Sequence, residues 1–91
     1  MAMTKLTTMV WNNAAINEQR DAEQRDAAIA NYIKIAKTAG KTDGVVTSMS
    51  PSPLTRSRKW VDAAAAADWI EFITKTANDY GNSVTVTVTD I

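Results

Sequence analysis

Cysteine and histidine are both absent from this 91-residue chain. Without cysteine there are no disulfides, no thiol nucleophile and no cysteine-held zinc or iron–sulfur centre. Without histidine the commonest general base is gone, and with it the serine–histidine triad and the usual haem and zinc ligand. No excess of one charge exists either: lysine plus arginine and aspartate plus glutamate number ten each. Long apolar runs are missing. The longest, Ala63 to Ala67, falls far short of the roughly 20 residues that a membrane span needs. No basic stretch followed by an apolar one opens the chain, so a cytoplasmic protein without membrane contact is expected. Asp62, Asp68, Glu71 and Asp79 are spread around one predicted helix rather than clustered as oxygen ligands. No metal site, no cofactor and no catalytic residue is therefore predicted.

What is present is ordinary for a folded protein: 45% hydrophobic and 22% charged residues. The length predicts a single domain over 1–91. Met1 to Met3 read as a disordered start or in part a cloning remnant, and carry no structural weight.

Lys5 to Trp11 (KLTTMVW) reads as a strand. Leu6, Thr8 and Val10 point one way, and Thr7, Met9 and Trp11 the other. Asn12 or Asn13 is placed to cap a helix. From Ala14 to Ala39 the spacing is helical, with Ala15, Ala22, Ile29, Ile33 and Ala36 on one stripe and Tyr32 beside it. Lys34, Lys37 and Lys41 complement the dipole at its end, and Gly40 is free to take a positive φ there. A tandem pentad, EQRDA at 18–22 and again at 23–27, offers the pairs Asp21–Arg25 and Arg20–Glu23, worth only about 0.2–0.5 kcal/mol each. With only alanine on its stripe, this half is expected to be solvated and loosely packed.

Lys41 to Gly44 (KTDG) reads as a turn and Val45 to Ser50 as a second strand, with Pro51 and Pro53 ending its pairing. Leu54 to Val61 (LTRSRKWV) reads as a third, polar strand. Asp62 caps a helix over Ala63 to Asp79, whose apolar arc centres on Ala66, Ile70, Ile73 and Ala77 and is widened by Trp69, Phe72, Thr76 and Tyr80. Gly81 ends it. Ser83 to Ile91 alternates strictly between valine and threonine.

The order βαββαβ resembles the ferredoxin-like domains. The expected fold class is α+β: a four-stranded antiparallel sheet with two helices on one face, first and third strands central, second and fourth at the edges. An α/β arrangement with another strand order is the alternative. Leu6, Val10, Val84, Val86 and Val88 are expected beneath the helices. Met9, Trp11, Thr85, Thr87 and Thr89 are then expected on the open face. An exposed apolar patch there and an unblunted Val/Thr edge both point to a homodimer. Arg56, Arg58 and Trp60 share one face of the third strand by period two, and complete the expected interface or ligand face with Met9, Trp11, Thr85, Thr87 and Thr89.

Basic residues with an aromatic on that strand resemble RNA-recognition domains. The run holds a single tryptophan and no glycine, and the isoelectric point is about 6.1. A nucleic-acid partner is thus disfavoured, and pairing of the arginines with a neighbouring subunit is preferred. Trp11, Asn12 and Trp60 suggest a second option: in length and element order alone, the chain resembles the dimeric α+β-barrel families. That resemblance implies a ligand-binding protein or a cofactor-free oxygenase, with a cavity lined by Trp11, Trp60 or Tyr32. Haem degradation is disfavoured because the axial histidine is missing, and an enzyme is not the preferred reading. The stretch RSRKWVDAAAAADWIEFITKTANDYGNSVTVTVTDI looks like small uncharacterised proteins of tailed bacteriophages, cyanophages in particular. That likeness implies an accessory protein in a host cytoplasm with a host component as partner. The preferred function is a small non-enzymatic homodimeric interaction module.

Overall fold

The computed structural model describes residues 2–12, 19–51 and 54–91. Its elements are β1 (Lys5–Trp11), α1 (Gln19–Thr38), β2 (Thr42–Pro51), β3 (Leu54–Trp60), α2 (Ala63–Asp79) and β4 (Val84–Asp90). The strands form one antiparallel sheet in the order β2-β3-β1-β4. This is the expected ferredoxin-like α+β arrangement, with β1 and β3 central and both helices on one face.

The helix ends follow from local chemistry. The Asp62 carboxylate accepts from the Ala65 amide at 2.8 Å and starts α2. At the far end Gly81, at φ 76°, lets Asn82 N–H reach back to the Ala77 carbonyl at 2.8 Å and its own N–H reach Asn78. Gly40 closes α1 by the same pair of bonds, to Lys37 from its own amide and to Ala36 from Lys41. The helix start between Ala14 and Glu18, and with it Ala15 and Asn13, lies outside the described residues. So do the side chains of Arg20, Asp21, Ala22 and Glu23, and the residues Ser52 and Pro53. The Asn12 Nδ2 donates to Ser83 and Thr85 Oγ at 3.1 and 3.3 Å.

β2 begins three residues earlier than its apolar run. Thr42 already pairs with Trp60, and its hydroxyl donates to the Lys59 carbonyl at 2.7 Å. Register shifts between Thr42 and Val46 and between Ser48 and Ser50 absorb the extra residues. The expected turn at Lys41–Gly44 is thus in large part a bulged strand. Pro51 does not end pairing; it faces Leu54, as an edge strand permits.

The face assignment of β1 is corrected. Met9 and Trp11 are buried, and Thr7 beside them is only 1% exposed. Register places Thr7, Met9 and Trp11 opposite Val88, Val86 and Val84, on the helix-covered face. Leu6 and Val10 lie on the open face with Thr8, Thr85 and Thr89. Both faces of β1 alternate convincingly, and side-chain volume decides between them: methionine and tryptophan fill the space under two helices better than leucine and valine. The core is aromatic. Trp60 and Trp69 are fully buried, with ring centroids 5.4 Å apart. Tyr32 of α1 stacks on Phe72 of α2 at 4.2 Å and joins the helices over that pair.

Candidate functional site: a cationic cavity under the first helix

α2 fills its half of the sheet with Trp69, Ile73 and Ala77, all fully buried. α1 covers the β2–β3 half less completely. Its inward residues are Ile29 and Ile33, with alanines around them, and they leave a cavity of about 550 Å³ above the sheet. Met9, Trp11 and Leu54 contribute to its apolar floor. Its charge is one-sided. Among the described residues, Arg25, Lys34 and Lys37 from α1 and Arg56 and Arg58 from β3 line it, against one carboxylate, Asp26.

The arginines differ in how they are held. Arg25 is 6% exposed, in the half of α1 expected to be solvated, which corrects that expectation at this position. Its guanidinium lies 4.6 Å from the centre of the Trp11 ring. Nη1 donates to Asn82 at 2.8 Å and Nε to Asp26 at 3.2 Å. Both bonds and the ring fix it as a wall of the cavity. Arg58 sits two residues from Arg56 on the same face of β3 and lies 4.8 Å over the Trp69 ring. Its Nη1 is buried and has no hydrogen-bond partner. Burial first, then the like charge of Arg56, pull this guanidinium down to about 10. A buried cation donor without an acceptor is costly, and this one belongs to a side chain that lines a cavity.

The residues expected to form one interface or ligand face are divided by the sheet. Met9, Trp11, Arg56, Arg58 and Trp60 share the helix-covered face, as the register of β1 with β3 shows. Of these, Met9, Trp11, Arg56 and Arg58 line the cavity, and Trp60 does not. Thr85, Thr87 and Thr89 are exposed on the opposite face. That face carries hydroxyls, such as Thr8 and Ser57 at 3.1 Å, beside Leu6 and Val10, while Met9 and Trp11 lie on the other side of the sheet. Among the described residues, no three acidic, histidine or cysteine side chains converge as metal ligands. No described helix is long and apolar enough to cross a membrane.

Three lining residues had other readings in the sequence. Lys34 and Lys37 served as dipole complements and Arg25 as a solvated charge. The usable signal was spacing: Arg25, Ile29 and Ile33 are four apart and so share a helix face, which puts a cation on the inward stripe. The chain matches no family model, no curated protein and no solved structure.

Proposed function

We propose that this protein is a small non-enzymatic binding module whose ligand occupies the cavity between α1 and the sheet. The observation that carries this reading is the cavity itself: about 550 Å³, within the range of small-molecule sites, with an apolar floor and a few convergent polar groups. Holding is favoured over transforming, since Asp26, the one carboxylate that lines the cavity among the described residues, is exposed and pairs with Arg25. The reading keeps the ligand-binding side of the dimeric α+β-barrel likeness and leaves out its oxygenase chemistry. Two fluorescent probes test it: anilinonaphthalene sulfonate and its uncharged parent, phenylnaphthylamine. The folded protein should take up one molecule of at least one of them per chain. Ala30→Trp, an exposed lining position on α1, should fill the space and abolish uptake. Uptake of neither probe, or uptake indifferent to Ala30→Trp, overturns the reading.

The β4 edge supports a second reading, a homodimer. β4 ends the strand order, Val88 is 48% exposed, and no proline, lysine or bulge interrupts the run from Val84 to Thr89. The opposite edge strand, β2, is bulged twice and ends in proline, features that discourage pairing. Two copies of β4 pairing antiparallel about Thr87 would set valines beside valines and threonines beside threonines. Light scattering on gel filtration should give twice the 9.9 kDa chain mass, and Val88→Lys should halve it. A mass of one chain at every concentration removes the dimer. An accessory role toward a host component, as the phage likeness implies, fits either reading.

A further inference from the structure

We propose that the ligand of this cavity is an amphiphilic anion: one carboxylate, sulfonate or phosphate head on an apolar body, with the head received by Arg58. This inference rests on the binding-module reading and adds the chemical class. Three observations carry it. The first is distribution of charge. The chain is neutral overall, yet among the described residues five basic side chains line this one cavity and one acidic side chain does. The second is the state of Arg58. Its Nη1 is buried without a partner, while Arg56, the cation on the same face of the strand, opposes its charge. A bound anion supplies the missing acceptor and relieves the like-charge repulsion in one step. The third is the floor. Met9, Ile29, Ile33 and Leu54 meet the same space, and they have no use for a bare inorganic ion. They fit an aliphatic or aromatic body that leaves water as the head reaches Arg58.

Arg25 and Arg58 divide the work. Arg25 is already satisfied by Asn82, Asp26 and the Trp11 ring, so it shapes the wall. Lys34 and Lys37 are exposed on α1 and add positive potential at the rim, where they draw an anion in.

The two probes named above share one aromatic body and differ by a sulfonate. If Arg58 receives an anion, the sulfonate probe should bind at least about tenfold more tightly than its uncharged parent, as a hydrogen bond to a charged group requires. Arg58→Met should remove that preference and leave the parent's binding within about twofold. Lys59→Met, which removes an equal charge from the exposed face of the same strand, should change neither. Near-ultraviolet circular dichroism checks that each protein keeps its packed tryptophans. The comparison on the unmutated chain needs no variant to fold. Equal affinity for both probes, or a sulfonate preference that survives Arg58→Met or is lost equally in Lys59→Met, overturns the anion claim and leaves the binding module standing. Uptake of neither probe overturns the module itself.

Discussion

Thr7 is 1% exposed at the middle of the sheet. Its hydroxyl accepts from the Trp60 indole N–H at 2.9 Å and donates to the Arg58 carbonyl at 3.3 Å. One small polar side chain thus completes the largest aromatic of β3 and pins the strand that carries Arg58. The isosteric Thr7→Val keeps the volume and strands the indole donor. It should cost about 1–3 kcal/mol, the desolvation penalty of an unsatisfied buried group, read as a lower midpoint in denaturant with an unchanged slope. Trp69 makes a contrast. Its indole nitrogen is buried without a partner, so its place in the core depends on packing against Trp60 and Tyr32 and on the Arg58 guanidinium above its ring.

At the scale of elements, β1 is where sequence pattern and packing part company. The strand's limits and α2 from Asp62 to Gly81 follow from residue type and capping, because those signals are local and strong; the strand order follows from the element order and its likeness to ferredoxin-like domains. The facing of β1 does not. Leu6 and Val10 on one side and Met9 and Trp11 on the other give two acceptable alternations, and only the partners choose between them. Val84, Val86 and Val88 were correctly placed beneath the helices, and the β1–β4 register carries Trp11, Met9 and Thr7 with them. The cavity was still less legible. It results from α1 offering short side chains over Arg56 and Arg58, a deficit of volume that no single segment reveals. A consequence for Trp11 follows. On an open face its truncation would spare the fold, whereas under α1 it supports Arg25 and the cavity floor. Trp11→Ala should therefore destabilise the monomer by about 3–5 kcal/mol, with a denaturation midpoint that falls at every protein concentration. A variant of full stability would return Trp11 to the surface.

For the whole molecule, a net charge of zero conceals a partial separation: five cations line the cavity, and the carboxylates of α2 face solvent. Asp68, Glu71 and Asp79 are all exposed, and Asp79 pairs with Lys75 at 2.8 Å. Burying like charges together has a cost, and Arg58 bears part of it. Its guanidinium is held at about 10 by burial and then by Arg56, below its ordinary value. Below about pH 10 it is charged in both states, and the folded form bears the full penalty. As pH rises from there toward the ordinary value, the folded protein releases its proton before the unfolded chain does. The unfolded chain then binds more protons, so this group's contribution to stability increases with pH. Arg58→Met, which keeps the contact with the Trp69 ring through sulfur, should be more stable than the parent near neutral pH. Allowing for the part of the guanidinium that water still screens, the gain is about 1–2 kcal/mol, or roughly 4–8 °C in Tm per kcal/mol for a domain this small. The advantage should narrow when both proteins are unfolded in urea at pH 10.5 instead of pH 7. A variant that is less stable at both pH values would mean that Arg58 serves the fold, and that its place in the cavity reflects packing on Trp69 rather than a site kept ready for an anion.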